Sequence, residues 1–215
     1  MASSTNEPSK HIYGIDVSDT LTSRQWNCLA ERNAKFAVVR SYRNAENPRT
    51  GNYGIPDTGC PSNVKYAHAA GLQFVDLYFF PVIRSKTVEE QVYESLAFLR
   101  KNNVSYRRMW LDVEGKTDQN TWYPQVNTNI DFIQLFILLM QQNQVDVGIY
   151  TGTDDWQAIT NNSHLFKDVP LWWSSHGKDF ASFGGWQAPA MVQYAYNTEH
   201  CGANYDSDYV DDPPA

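Results

Sequence analysis

Two carboxylates stand two residues apart in Leu111-Asp112-Val113-Glu114-Gly115, a segment that reads as a strand ended by a glycine turn. Side chains at i and i+2 leave a strand on one face, so Asp112 and Glu114 point together while Leu111 and Val113 point into whatever covers the other side. Acids held this close repel, and one of them keeps its proton to higher pH. A proton donor beside an ionised partner is what cleavage of a glycosidic bond requires. A solvated strand edge or a pair of metal ligands would use the same pattern, so context has to decide.

A second acidic strand supplies context. In His11-Ile12-Tyr13-Gly14-Ile15-Asp16-Val17-Ser18, alternation puts Gly14, Asp16 and Ser18 on one face and Tyr13, Ile15 and Val17 on the other, toward helices. Functional side chains of a parallel barrel gather at the C-terminal ends of its strands, and both acidic strands carry their acids there. By the same alternation Arg40 and Tyr42, Asp76 and Tyr78, Tyr150, and Trp172 with His176 are candidates for one mouth. The plainer alternative makes the tyrosines partly core, Arg40 with Asp76 a buried structural pair, and His176 a rim residue.

The elements that must position these groups alternate. Strands are expected over 11–18, 36–42, 72–80, 109–114 and 145–150, with helices over 23–32, 62–70, 87–101, 129–142 and, shorter, 156–160. Residues 44–61, rich in Gly, Pro and Asn, read as a loop. Beyond residue 160 the chain turns β-rich, with strands over 170–174 and 191–196 around a glycine-rich loop. This predicts an α/β fold, an irregular TIM-like barrel of five βα units followed by a β-rich last third, (β/α)5(β)3, as a single catalytic domain over 11–215. Residues 1–10 and the Asp-Asp-Pro-Pro-Ala tail are the disorder candidates. The first βα turn, Asp-Val-Ser-Asp, lacks the G-x-G-x-x-G of a dinucleotide fold.

At 215 residues the chain is long enough for one barrel with a substantial core. Its net charge of -7 argues against nucleic acid as a partner, and an aromatic content of 14 % suits stacking against sugar rings. The longest apolar stretch, 132–140, is far short of the ~20 residues a bilayer span needs, so no membrane association is expected. Residues 1–10 show no signal-peptide pattern. Asn103-Val104-Ser105 and Asn161-Asn162-Ser163 match the glycosylation sequon, a mild pointer to the secretory route. The five histidines lack metal-ligand spacing, and no G-x-S-x-G elbow is present, so neither a metal cofactor nor a serine nucleophile is expected, and no organic cofactor is needed. Of the three cysteines, Cys28 is expected to be a buried thiol, because no other cysteine neighbours it on its helix, which leaves Cys60 and Cys201 as the pair to bond.

Together Gly14-Ile15-Asp16-Val17-Ser18, Leu111-Asp112-Val113-Glu114-Gly115, Val147-Gly148-Ile149-Tyr150-Thr151 and Gln193-Tyr194 resemble the glycoside hydrolase family 25 lysozymes, over about residues 12–210. Gly184-Gly185-Trp186-Gln187-Ala188-Pro189-Ala190 and Cys201-Gly202 are most similar to its amoebozoan and nematode branch. The resemblance implies cleavage of the β-1,4 bond between N-acetylmuramic acid and N-acetylglucosamine in bacterial peptidoglycan, by a monomer that is secreted or phagosomal. It assigns Glu114 as general acid and Asp112 and Asp16 as its assistants. Asp206 matches the acid of a Val-Asp-x-Asn motif, here Tyr205-Asp206-Ser207-Asp208, with Asp208 in place of the Asn. Tyr78, Tyr150, Trp172, Arg40 and Gln193 are then the expected substrate contacts. A catalytically silent glycan-binding barrel and a metal-dependent deacetylase are the alternatives.

Overall fold

Every strand that carries a candidate acid is hydrogen-bonded on both edges, because the sheet closes on itself. The structure, a computed structural model, describes residues 11–46, 53–83, 85–115 and 122–211. Its elements run β1 (His11–Val17), α1 (Ser23–Glu31), β2 (Phe36–Glu46), β3 (Tyr53–Pro56), α2 (Cys60–Ala69), β4 (Phe74–Phe79), α3 (Val88–Lys101), β5 (Arg108–Asp112), α4 (Val126–Gln142), β6 (Asp146–Thr151), α5 (Thr153–Thr160), β7 (Leu171–Ser174), β8 (Met191–His200) and β9 (Ala203–Asp211). Parallel pairing runs from β1 through β2, β4, β5, β6 and β7 to β8. The last strand, β9, pairs antiparallel with both β8 and β1 and so closes a ring of eight strands. The short β3 lies outside the ring, antiparallel on β2.

Local chemistry starts the helices where the sequence suggests. Thr22 with Gln25 and Thr87 with Glu90 form reciprocal capping boxes at α1 and α3, satisfying N–H groups that have no partner inside the helix. Glu89 and Glu90 in the first turn of α3 and Arg100 and Lys101 in its last turn oppose the helix dipole favourably. Burial then separates two cores. The larger lies between strands and helices and takes Ile15, Val17, Leu111 and Val113 together with Trp26, Val92, Ile133, Phe136 and Trp156. The smaller fills the inside of the ring with Phe36, Val38, Trp110, Tyr150, Trp172, Met191 and Val210. Space inside is tight: a Cβ on Gly14 would meet the Phe36 ring at 2.5 Å, and one on Gly148 the Trp110 ring at 2.2 Å. Small residues on one strand admit large ones from its neighbour.

Four expectations need correction. The loop over 44–61 contains the strand β3, and β2 runs past residue 42, though residues 47–52 lie outside those described. The closing strand β9 had no place in the sequence reading; its Asp- and Ser-rich stretch hides strand character because half of it faces polar surroundings. Tyr13, expected to face helices, is exposed, and its ring meets Tyr194 and Tyr209 of the neighbouring strands instead. The disulfide joins Cys28 to Cys201, with Cα atoms 6.0 Å apart, and the buried thiol is Cys60. Cys28 lies on the α1 face that meets the β8–β9 turn, where Gln25 Nε2 also donates to the Gly202 carbonyl at 2.6 Å. An empty helical neighbour position says nothing about a partner 173 residues away. The stretches 1–10 and 212–215 fall outside the described residues.

Closing so long a loop stabilises the fold by up to ~5 kcal/mol in the chain-entropy picture. Cys201→Ser is therefore expected to cost about 2–5 kcal/mol in denaturant unfolding. Cys60, its thiol pushed up to about 12 by burial and then by the charge of Asp57, should react with alkylating agents only after unfolding. A second reactive thiol in the denatured, unreduced chain would contradict the Cys28–Cys201 pairing.

Candidate active site

Alternation carries Asp16 from β1, Asp112 from β5, and Asp206 from β9 to the C-terminal end of the parallel strands. Glu114 lies two residues beyond the end of β5, in the turn that follows, so its position is not simply that of a strand residue. Four backbone contacts hold that turn. Val113 N–H donates to the Tyr150 carbonyl at 2.8 Å, and Thr151 Oγ1 donates to the Val113 carbonyl at 2.8 Å. Trp122 Nε1 donates to the Glu114 carbonyl at 3.0 Å, and Gly115 N–H donates to Asp155 Oδ1 at 3.0 Å. Gly115 takes the turn at φ 90°, which a side chain would disfavour.

A cavity of about 100 Å³ is lined by Asp16, Tyr78, Asp112, Glu114, Tyr150, Trp172, Gln193 and Asp206. It adjoins a second concavity of about 120 Å³ that shares Asp16, Tyr78 and Asp206 and adds Asn197, Asn204 and Tyr205. Trp172 forms the aromatic floor, 4.5 Å from the Tyr150 ring and 6.3 Å from that of Tyr78. Gln193, almost fully buried, links the walls. Its Oε1 accepts from the Tyr150 hydroxyl at 2.7 Å, while Nε2 donates to Asp16 Oδ2 at 2.7 Å and to Asp206 Oδ2 at 3.2 Å. A larger concavity, about 380 Å³, lies against β8 and β9 on the outer wall and has no grouped carboxylates.

Not all the expected residues reach this mouth. Arg40 is not among the lining residues: its Nε donates to Asp57 Oδ2 at 2.8 Å and its Nη2 to the Ser18 carbonyl at 2.7 Å. Asp76 is fully buried deeper in the barrel, where it binds Arg107 through both carboxylate oxygens and also accepts from Trp110 Nε1, so the Arg40–Asp76 pair does not form. Tyr42 points outward onto Phe79 and toward Glu94. The cause is an irregular step in β2, where Arg40 pairs with Tyr78 but Tyr42 pairs with Phe79, which reverses the alternation. His176 sits beside the mouth, stacked on Tyr196. Between the two C-terminal acids, Asp206 lines the cavity and Asp208 lies wholly buried behind it.

The electrostatics follow from burial without compensation. Among the described residues none of Asp16, Asp112, Glu114, Asp206 and Asp208 forms a salt bridge. Desolvation, followed by the charges of Asp155 and Asp206, raises Glu114 to about 7. Burial and then Asp206 raise Asp16 to about 7, and burial followed by Glu114 holds Asp112 well above the carboxylate range. One Asp112 oxygen, Oδ1, has no hydrogen-bond partner among the described residues. Asp155 is the residue the sequence reading missed. It stands in the first turn of α5, directly after β6, and a carboxylate just past a barrel strand was the available signal.

A closed barrel with an acid cluster at the C-terminal mouth and aromatic walls defines a carbohydrate-cleaving class of protein. Comparison with known proteins places the chain within that class. The lysozyme-like protein 1 family matches residues 7–194. A probable GH family 25 lysozyme 5 from Dictyostelium discoideum is 31 % identical over 93 % of this chain and 90 % of its own. Among solved structures, a family GH25 lysozyme from Aspergillus fumigatus superposes with a TM-score of 0.73 at 21 % identity, covering 95 % of each chain. The modular autolysin LytC from Streptococcus pneumoniae, solved with a synthetic peptidoglycan ligand, gives 0.69 at 15 % identity over 93 % of this chain and 46 % of its own. The chain belongs to the glycoside hydrolase family 25 lysozymes.

Asp155→Asn separates the two effects of that residue. The amide oxygen still accepts from Gly115, but the charge that helps keep Glu114 protonated is gone. The Glu114 titration, followed by carboxyl ¹³C NMR, should move down by about half to one pH unit; an unchanged or higher midpoint would contradict the role of Asp155.

Proposed function

We propose that this lysozyme is an N-acetylmuramidase that cleaves the β-1,4 bond between N-acetylmuramic acid and N-acetylglucosamine in bacterial peptidoglycan with retention of configuration. The observation that carries the reading is the cavity at the barrel mouth, where Glu114, with its proton held to about 7, shares walls with Asp16, Asp112 and Asp206. Family membership supports the substrate, and the autolysin that shares the fold holds a peptidoglycan ligand. The reading extends to a monomeric, single-domain enzyme acting outside the cell or in a phagosome.

In this mechanism Glu114 gives its proton to the glycosidic oxygen as that bond breaks, and positive charge builds at C1 of the muramic acid ring. Asp206, only partly buried and therefore the cheapest of the group to ionise, stabilises that charge. The substrate's 2-acetamido oxygen attacks C1, and Asp112, whose side chain lines the cavity, accepts the acetamido N–H and turns the group toward C1. Glu114, now a carboxylate, takes a proton from the water that opens the intermediate. Trp172, Tyr78 and Tyr150 form the sugar-facing walls, and Gln193 orients Asp16 and Asp206.

Glu114→Gln keeps the shape and removes the transferable proton, so lysis of bacterial walls should fall by at least about tenfold, since general acid catalysis contributes 10²- to 10⁴-fold. A folded variant that keeps more than about a tenth of the rate would overturn the assignment of Glu114. New reducing ends on muramic acid distinguish this enzyme from a glucosaminidase, and the absence of new reducing ends on either sugar of purified peptidoglycan would favour a silent glycan-binding barrel.

Activity should be bell-shaped in pH, falling on the alkaline side as Glu114 loses its proton near 7 and on the acid side as its ionised partner is protonated. At neutral pH, added salt should speed lysis by screening repulsion between a chain of net charge -7 and an anionic wall. An optimum above about pH 7, or faster lysis at lower salt, would count against an acidic compartment.

A further inference from the structure

The most deeply buried acid of the cluster is not in the mechanism above. Asp208 has no exposed surface, and it faces inward from β9 between Asp206 and Val210. Its Oδ1 accepts from Trp172 Nε1 at 2.9 Å. Among the described residues no N–H or O–H group reaches Oδ2. Gly14 of β1, the partner of Asp208 in the register, has no side chain, and the diagonal neighbour Asp16, itself paired with Asp206, brings its carboxyl within hydrogen-bonding reach. Two carboxylates in that position would repel, and one neutral donor to each, Gln193 to Asp16 and Trp172 to Asp208, is all that stands against it among the described residues. The other groups facing Asp208 are the indole of Trp172 on β7 and the Asp206 carboxyl on its own strand, with Gln193 as its backbone partner on β8. Beyond Asp16 lie Asp112 and Glu114, also acids, and no cation is paired with any of them among the described residues. A single proton between Asp16 and Asp208 removes the conflict, because a protonated carboxyl is a donor.

The position of that proton follows from the surroundings. Asp16 accepts a hydrogen bond from Gln193, which favours its charged form against the burial that raises it, and it keeps some exposed surface where Asp208 has none. Asp208 has one weak neutral donor and no solvent. We propose that Asp208 is a carboxylic acid in the folded enzyme, and that by donating its proton to Asp16 it acts as a positioning residue that favours the ionised form of Asp16 and aims it at the cavity. Burial raises Asp208 well above the ordinary carboxylate range, with Asp16 as the next cause. Its effect on catalysis rests on the muramidase reading, whereas retention of the proton does not, so the two can fail separately.

The direct test is infrared difference spectroscopy on the full chain at pH 7 with ¹³C-labelled aspartate. One protonated aspartic C=O band should vanish in Asp208→Asn and persist in Asp16→Asn. No loss in Asp208→Asn, or loss in Asp16→Asn instead, overturns the assignment. Linkage supplies a second readout. A folded-state pKa above the unfolded value near 4 means that stability falls as pH rises from there toward the folded pKa. The folded-to-unfolded ratio of the wild type, relative to Asp208→Asn, should therefore drop about tenfold per pH unit above about pH 4; parallel curves overturn the proposal.

Activity then tests the positioning, on the reading that ionised Asp16 acts with Asp206 in stabilising charge at C1 and so contributes to the acid limb. Asp208→Asn supplies a permanent N–H donor, so the acid limb of kcat/KM should stay within about 0.3 unit of wild type, whereas Asp208→Ala, with no donor, should move it up by about one unit or more. An acid limb in Asp208→Asn that rises as far as in Asp208→Ala refutes the donor role. Should the alanine variant fail to fold, a rise of one unit in the asparagine variant alone refutes it.

Discussion

Everything at the barrel mouth depends on the two edges of β1. Its parallel pairing with β2 and its antiparallel pairing with β9 close the ring, and closure brings acids from opposite ends of the chain together. Asp16 and Asp206 are direct partners in the β1–β9 register, and Gln193 reaches both from β8. An open sheet with the same elements would leave β1 and β9 at separate edges, and the acid cluster would not exist. The Cys28–Cys201 bond ties α1 to the β8–β9 turn close to the same seam.

Closure has an electrostatic cost, because it gathers acids where water is scarce and, among the described residues, no cation is paired with them. The cluster relaxes by keeping protons. Glu114 and Asp16 are pushed to about 7, and Asp112 and Asp208 are held well above the ordinary carboxylate range. A proton retained on a buried carboxyl at neutral pH is what a general acid needs, so the same repulsion that penalises the fold prepares its chemistry. The aromatic wall contributes as well. Trp172 excludes water from the floor and donates to Asp208, so one side chain serves both the sugar-facing surface and the buried acid.

The backbone around Glu114 illustrates a related division of labour. Strand pairing fixes Asp112, but Glu114 lies past the strand and depends on Tyr150, Thr151, Trp122 and Asp155. These come from β6, from α5 and from the segment before α4. Such contacts hold the carboxyl without relying on the stiffness of a strand, and they are made by residues distant in sequence.

Local rules were enough for much of this molecule. Two-residue alternation in 11–18 and 109–114 places Asp16 and Asp112 on the inner face, and capping and periodicity mark α1 and α3, because these properties depend on neighbours within a few residues. The same rule misplaced Tyr42, since the irregular step in β2 is a feature of its pairing with β4. It paired Arg40 with Asp76, whereas Asp57 and Arg107 are the actual partners, brought by chain segments that sequence spacing cannot rank. The disulfide was misassigned for the same reason. The sequence by itself determined which side chains share a face and that acids stand at the strand ends; only the tertiary structure decided which acids meet, which are sealed from water and which proton is shared, because those depend on the closure of the ring.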